Sequence, residues 1–133
     1  MKKVLFVLSL AVGVCCIGLA QADNRCLEFQ AAAQNGEVNR VERFLSEGVD
    51  IDCRDTLTSE TALMKAAMSG KVESVRLLLA HGANVNIRAN GGWTALKYAK
   101  ETYKAVKSGG KKFSALTQRV ETVINLLIEA GGI

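Results

Sequence analysis

The sequence is poor in the residue types that build catalytic and metal centres. It contains one histidine, His81, so no second imidazole is present to complete a histidine metal site. The Gly-Gly-Lys run at residues 109–111 lacks the first glycine of a phosphate-binding loop, and no Ser or Thr follows its lysine. We therefore expect this chain to have no enzyme activity, no cofactor and no metal ion.

Aromatic residues make up only 5% of the chain, and proline is absent. Proteins that bind single-stranded nucleic acid stack aromatic rings on the bases beside basic side chains. Tyr98, Tyr103 and Phe113 do lie among lysines, but the first residues of the chain predict export from the cytoplasm. We expect no nucleic-acid partner.

The first 22 residues form a separate segment with the pattern of a secretory signal peptide. Two lysines after the initiating Met precede an almost wholly apolar run at residues 4–20, and residues 20–22 (Ala-Gln-Ala) have the small-x-small form of a cleavage site. A membrane anchor is the alternative. Lipid attachment at Cys15 or Cys16 is a weaker one, because neither follows a Gly, Ala or Ser. Cleavage would leave residues 23–133 in the periplasm or outside a bacterial cell, with no stable membrane anchor.

The charge of the chain is concentrated near its C-terminus. The formal charge is +4, and it falls to +2 without the two N-terminal lysines. Residues 23–90 hold eight basic and ten acidic side chains, whereas residues 91–133 hold seven basic and three acidic ones. This distribution favours an acidic partner for the C-terminal part.

A unit of about 33 residues recurs three times. A shift of 34 residues aligns apolar positions and glycines of residues 33–52 with those of residues 67–86, and a further shift of 33 aligns residues 61–63 (Thr-Ala-Leu) with residues 94–96. Each copy has the pattern of two short helices that end near a glycine. Residues 84–93 alternate polar and apolar and then turn on two glycines, which predicts a hairpin-like finger. A period of this length indicates a stacked array.

At these positions the chain resembles the ankyrin repeat family, whose unit opens with Thr-Pro-Leu-His and exits through Gly-Ala-Asp-Val-Asn. The opening is present as residues 61–64 (Thr-Ala-Leu-Met) and the exit as residues 82–86 (Gly-Ala-Asn-Val-Asn). The resemblance implies an all-α solenoid of about three helix-turn-helix units with short fingers, at about residues 27–60, 61–93 and 94–133. It also implies a concave surface, made of the fingers and the first helix of each unit, that binds other proteins.

Departures from the family pattern carry expectations of their own. The family's Pro is missing from every unit, and its His is replaced by Gln30, Met64 and Lys97, so we expect the usual Thr-to-His hydrogen-bond network to be absent. Asp50, Asp52 and Asp55 form a carboxylate cluster. The first two occupy the exit motif of the repeat, so metal binding there is a minor alternative.

Two of the four cysteines, Cys26 and Cys53, follow the predicted cleavage site. The repeat places them near the same level of adjacent units, and export would expose them to an oxidising compartment. A disulfide between them would stabilise the fold by about 3 to 4 kcal/mol. Two buried free thiols are the alternative, if the two Cα atoms lie too far apart.

The third unit carries about 16 extra residues, since 37 positions separate Thr94 from Gly131 whereas 21 separate Thr61 from Gly82. We expect the insertion to lengthen both helices of the unit and to cap the stack. The apolar side chains expected to face unit two are Val120, Val123, Ile124, Leu127 and Ile128. The lysines expected to form one basic face are Lys97, Lys100, Lys104, Lys107, Lys111 and Lys112. This face is either merely solvated or a docking surface for an acidic partner.

The sequence as a whole predicts an exported protein-binding module that is monomeric when unbound. Similarity to small exported bacterial ankyrin proteins implies that the partner is a periplasmic toxin or an enzyme of stress defence. The alternative is a binder of anionic lipid or polysaccharide through the lysine face. Trp93 is either the central interface anchor or a side chain that packs on a neighbouring finger. The candidate contact residues are Arg54, Asp55, Leu57, Met64, Lys65, Met68, Arg88, Asn90, Trp93, Lys97, Tyr98, Lys100 and Lys104.

Overall fold

The computed structural model describes residues 24–110 and 114–133, and it arranges them as three consecutive pairs of helices. The helices are α1 (24–35), α2 (Val38–Ser46), α3 (Ala62–Met68), α4 (Val72–Ala80), α5 (Ala95–Ser108) and α6 (Ser114–Glu129). This confirms the predicted all-α solenoid. None of the described helices has the length and apolarity needed to cross a bilayer. The predicted signal segment, together with Lys111 and Lys112, lies outside the described residues.

The first helix of units two and three begins at a threonine. The hydroxyl of Thr61 accepts a hydrogen bond from the backbone N–H of Met64, and that of Thr94 accepts one from Lys97. Each threonine thereby satisfies one of the N–H groups that the first turn of a helix leaves without a partner. The repeated threonine therefore fixes where each first helix starts.

The core runs through the stack without interruption between units. Helix α3 lies at its centre and contacts α4, α5 and α6, while α4 contacts α2 and α6. In the first unit, the rings of Phe29 and Phe44 meet edge to face with centroids 6.1 Å apart. Other buried apolar side chains are Val41, Leu63, Met64, Val75, Leu78, Leu96, Val123 and Leu127. Each unit thus hides its apolar stripe against its neighbour, as a repeat protein requires.

The third unit is larger than the second, as predicted. Helices α5 and α6 have 14 and 16 residues, compared with 7 and 9 in α3 and α4. On α6, Val120, Val123 and Leu127 are buried and Ile124 is partly buried. The expectation that Ile128 faces unit two is wrong, because its side chain is 52% exposed. The buried stripe follows a spacing of three and four residues, and position 128 lies about 100° around the helix from Leu127.

Two fingers connect the units. The first finger is residues 49–60 and the second finger is residues 83–94. The distal half of each is closed by a backbone hydrogen bond, from Asp55 N–H to the Glu60 carbonyl at 3.1 Å and from Ala89 N–H to the Trp93 carbonyl at 2.8 Å. The second finger turns through a 3₁₀ segment at Asn90–Gly92. Within the described residues neither finger carries a β-strand.

A disulfide bond joins Cys26 of α1 to Cys53 of the first finger. Their Cα atoms lie 6.1 Å apart, within the usual range for a cystine. The predicted bond is therefore confirmed in preference to two separate thiols. It fastens the first finger to the helix of the preceding unit.

Candidate functional site

The two fingers are tied to each other by side chains near their bases and at their tips. The carboxylate of Asp52 accepts a hydrogen bond from Asn84 N–H at 2.9 Å. At the tips, the amide side chain of Asn90 donates to the Leu57 carbonyl and its backbone N–H donates to the Thr58 carbonyl, both at 2.9 Å. The fingers therefore present one connected surface rather than two independent loops.

The tip of the first finger is a turn organised by one carboxylate. Asp55 accepts hydrogen bonds from the N–H of Leu57 at 3.0 Å, from the N–H of Thr58 at 2.6 Å and from the Thr58 hydroxyl at 2.5 Å. Ser59 completes the turn with a positive φ of 57°, which is uncommon for a residue with a side chain. The result is that Leu57, 86% exposed, stands on a fixed backbone.

A charged network connects this finger to α3 and α5. The ammonium of Lys65 on α3 lies 3.3 Å from Asp55 and 3.0 Å from Glu60. The hydroxyl of Tyr98 on α5 donates to the other oxygen of Glu60 at 2.7 Å. All three charged side chains are at least four-fifths covered. The network therefore ties unit two to unit three, and its one ammonium group offsets part of the charge of its two carboxylates.

The pKa values of this network follow from its hydrogen bonds. Burial alone would raise the pKa of Asp55, but the hydrogen bonds from Thr58 and Lys65 outweigh burial and lower it to about 2. The pKa of Glu60 is lowered against the same opposing effect of burial, by Tyr98 and Lys65. Burial and the bond to Glu60 raise the pKa of Tyr98 to about 12. The carboxylates thus stay ionised and the phenol stays protonated across the physiological range.

Trp93 is held between two side chains of α5. Its ring stacks on Tyr98 with centroids 5.0 Å apart, and the ammonium of Lys97 lies 4.5 Å from the ring centroid. The side chain is partly buried. Its ring is therefore engaged by the first helix of unit three, and its role as an interface anchor stays a prediction.

Exposed cations surround the fingers. Arg54, Arg88, Lys97 and Lys100 are exposed, and none of them is ion-paired with a side chain of the described residues. A groove of about 280 Å³ near the C-terminal end of the stack is lined by Arg88, Lys97 and Lys100, with no acidic side chain in its walls. Lys104, by contrast, pairs with Glu101. The surface therefore offers positive charge to a partner, though not through every predicted lysine.

Several predicted contact residues are less exposed than expected, among them Asp55, Lys65 and Tyr98, which are partly buried in the charged network. Met64 is only 2% exposed, so its prediction as a contact residue is wrong. It occupies the same repeat position as Gln30, which is 1% exposed. Met68 is partly buried rather than fully exposed.

Gln30, at the position of the family's His, makes hydrogen bonds of a different kind from the Thr-to-His network that was expected to be absent. Its side-chain amide donates to the Cys53 carbonyl at 3.1 Å and to the Glu60 carbonyl at 2.9 Å. Gln30 therefore fastens two points of the first finger to α1. Glu60 was not among the predicted site residues. The repeat offered one signal, because Glu60 occupies the position that Cys26 and Trp93 hold in the neighbouring units.

The remaining polar candidates have structural partners. The Asp50 carboxylate accepts a hydrogen bond from the N–H of Asp52. The Asp52 carboxylate in turn accepts one from the N–H of Asn84 and so connects the two fingers. A ring nitrogen of His81 lies 2.9 Å from the Leu77 carbonyl. In the described part of the chain, no group of three or more His, Cys, Asp or Glu side chains is arranged to hold a metal ion.

Comparison with known proteins gives a family match and several similar chains. Residues 29–108 match the family model described as ankyrin repeats in three copies. The phosphocholine transferase AnkX of Legionella pneumophila is 32% identical over 97 residues, which is 73% of this chain and 10% of that protein. The ankyrin repeat and SAM domain-containing protein 6 of Mus musculus is 39% identical over 64 residues, covering 48% of this chain and 7% of that one. This chain therefore corresponds to a small part of either protein.

Two solved structures are similar over most of the chain. One is the complex of the Bd0816 predatory endopeptidase from Bdellovibrio bacteriovorus with immunity protein Bd3460, with a TM-score of 0.60 and 29% identity. That match covers 79% of this chain and 46% of the matched chain. The other is the human ASB11 ankyrin repeat domain, with a TM-score of 0.57 and 25% identity over 79% of this chain and 40% of that one.

Proposed function

Because this chain belongs to the ankyrin repeat family, we propose that it is an exported immunity-type protein that binds and restrains a toxic enzyme of the cell envelope. Its general role is that of a protein-binding module. The proposed binding surface is the concave surface, defined as the two fingers together with α3 and α5. Binding there would need no catalytic residue in this chain.

The observation that carries this proposal is the similarity to the solved endopeptidase complex. That complex pairs a predatory endopeptidase with an immunity protein, and the similarity extends over 79% of this chain. A likeness of this extent supports a shared mode of action, in which an ankyrin domain binds its partner. It is stronger support for an immunity role than for assistance to a stress-defence enzyme, which neither solved structure suggests.

Two features support export as part of the proposal. Residues 1–22 have the charge, apolar length and cleavage pattern of a signal peptide. The bond between Cys26 and Cys53 suits an oxidising compartment such as the bacterial periplasm. We therefore place the binding event in the periplasm, and we expect the partner to present acidic side chains to the cations around the fingers.

The test uses the full chain with a C-terminal tag, produced in a bacterium and isolated from its envelope fraction. We expect one envelope hydrolase to co-purify in equal amount, and the purified chain to inhibit its activity. A Trp93→Ala variant should capture less of it, and an Ile128→Ala variant, altered on α6 outside the concave surface, should capture the same amount. Retention of the chain in the cytoplasm, or capture of a partner whose activity is unchanged, would contradict the immunity role.

The competing role, binding of anionic lipid or polysaccharide, has less support. Two of its lysines are engaged at the surface, Lys104 with Glu101 and Lys107 with the ring of Tyr103. Vesicles of phosphatidylglycerol separate the two roles. Adsorption through lysines should disappear between low and physiological ionic strength, whereas a desolvated protein interface should persist.

A further inference from the structure

We propose that Leu57 is the apolar anchor of the concave surface, and that the partner receives it in an apolar pocket rimmed by carboxylates. The proposal rests on the proposed protein-binding function and specifies the chemistry of the partner. Leu57 is 86% exposed. Of the large apolar side chains exposed in the described residues, it is the most exposed and the one that stands at the tip of a finger; the others are Leu27, Ile128 and Ile133.

The backbone that carries Leu57 is fixed by hydrogen bonds from both fingers. Three hydrogen bonds to the Asp55 carboxylate shape the turn, and Lys65 holds that carboxylate from behind. Two further hydrogen bonds from Asn90 reach the carbonyls of Leu57 and Thr58. An apolar side chain on a flexible loop would lose much conformational freedom on binding. A side chain on a fixed turn loses little, which is the usual property of an interface anchor.

The charges at the tip indicate what the pocket looks like. Asp55 and Glu60, the acidic residues of the distal half of the finger, both face inward to Lys65. Arg54 on the same finger and Arg88 on the neighbouring one are exposed and have no ion-pair partner in the described residues. A partner therefore meets an apolar tip accompanied by unpaired positive charge. The complementary surface is an apolar pocket with Asp or Glu at its rim.

The same charges argue against two other occupants. A second copy of this chain that met the first copy tip to tip would bring Arg54 and Arg88 of both copies together, while Asp50 and Asp52 lie nearer the bases of the fingers. A lipid surface would be contacted by one leucine alone, which is too little apolar area for stable attachment. A protein pocket is the occupant that uses both the leucine and the arginines.

The experiment places a photo-reactive residue at the tip. Two variants of the full chain are produced in bacteria of the kind that naturally make it. One is Leu57→p-benzoylphenylalanine. The matched control is Ile128→p-benzoylphenylalanine, which alters a half-exposed apolar side chain on α6. Irradiation of intact cells should link position 57, and not position 128, to one envelope protein. The linked peptide should come from an apolar pocket that contains Asp or Glu.

The dissociation constant is then measured with that purified protein. Leu57→Ala should weaken binding by about 30-fold or more, whereas Leu57→Met and Ile128→Ala should stay within about threefold. Arg54→Gln and Arg88→Gln should weaken binding and reduce its salt dependence. Asn90→Ala, which removes the side-chain hydrogen bond to the Leu57 carbonyl but keeps the leucine side chain, should weaken binding less than Leu57→Ala. Thermal melting of each variant confirms that it is folded.

Several outcomes would show that Leu57 is not the anchor. One is a crosslink from position 57 to lipid or to a second copy of the chain. Another is crosslinking from position 128 but not from position 57. A Leu57→Ala effect below threefold, with Trp93→Ala binding strongly reduced, would overturn the anchor and leave the proposed function standing. Absence of any protein crosslink from position 57 and of any co-purifying protein would overturn both.

Discussion

At the scale of single residues, equivalent positions of the repeat are buried to different extents in different units. Gln30, Met64 and Lys97 are equivalent in the repeat. The first two are buried at 1% and 2% exposure, while Lys97 is exposed. In the third unit no further unit among the described residues packs on this position. Burial is therefore set by the place of the unit in the stack as well as by the residue type.

This burial gives a direct prediction for Met64. Met64→Ala should lower the free energy of unfolding by about 2 to 5 kcal/mol, because it leaves a cavity in the buried core. Chemical denaturation of the purified domain measures the loss. Met68→Ala, at a partly buried position on the same helix, serves as the control and should cost less than half as much. A stable Met64→Ala variant that fails only in partner binding would contradict this assignment.

The dependence on position also limits what the sequence could show about the site. The structure confirms the predictions that came from the repeat itself. These are the three units with a period of about 33 residues, the threonines that begin α3 and α5, and the closeness of Cys26 and Cys53 in adjacent units. The network of Asp55, Lys65, Glu60 and Tyr98 is different. It joins positions that the repeat does not relate, and it forms only because finger and helices meet in three dimensions. Periodicity contains no information of that kind.

At the scale of helices, the long α6 reaches the turn between α3 and α4. Gly70 in this turn has a φ of +65°, and an added Cβ would lie 3.1 Å from the side chains of Leu116 and Val120. Val120 is fully buried and has little space to move. The absence of a side chain at position 70 is thus what lets α6 pack closely.

Two glycines make this testable. Gly70→Ala and Gly82→Ala both place a side chain at a positive φ, but an added Cβ at Gly82 meets nothing within 4 Å. Gly70→Ala should therefore cost about 1 to 3 kcal/mol more than Gly82→Ala, the usual range for overpacking. Denaturant titration of the two variants measures the difference. Equal losses would show that α6 accommodates the extra methyl group.

The disulfide acts at the scale of α1 and the first finger. Its partners are 27 residues apart, and closing a loop of that size should stabilise the fold by about 3.5 kcal/mol. Reduction, or the double change Cys26→Ser and Cys53→Ser, should lower the melting temperature by roughly 10 to 20 °C. Calorimetry with and without reductant measures the effect. Two titratable thiols in the native protein would contradict the bond.

At the scale of the whole molecule, stability depends on contacts between neighbouring units. Among α3 to α6, α2 contacts only α4, whereas α3 contacts α5 and α6 of the next unit. The Asp55 network adds a polar connection to this apolar one, since it reaches from the first finger to α5. Loss of the network should therefore weaken the stack as a whole.

Acid should reveal that contribution. The pKa of Asp55 is about 2 in the folded state, below its value of about 3.9 in an unfolded chain. The stabilising effect is therefore complete above about pH 4 and is lost as the pH falls through about 2. Melting temperatures measured between pH 5 and 2 should fall more steeply for the wild type than for Asp55→Asn. Parallel curves for the two proteins would rule out Asp55 as the titrating group.

The cystine between α1 and the first finger also decides how the chain responds to tension. If the two ends of the described domain are pulled apart, the segment between Cys26 and Cys53 is bypassed by the sulfur–sulfur link and bears no load. This segment, which covers a sequence separation of 27, would otherwise extend by roughly 90 Å. Oxidised and reduced molecules in an optical trap would thus differ by about that contour length. Proteolytic unfoldases that thread a polypeptide through a narrow pore would meet a closed loop instead of a single strand. The oxidised chain would therefore resist processive degradation from its N-terminal side, even after its helices had separated.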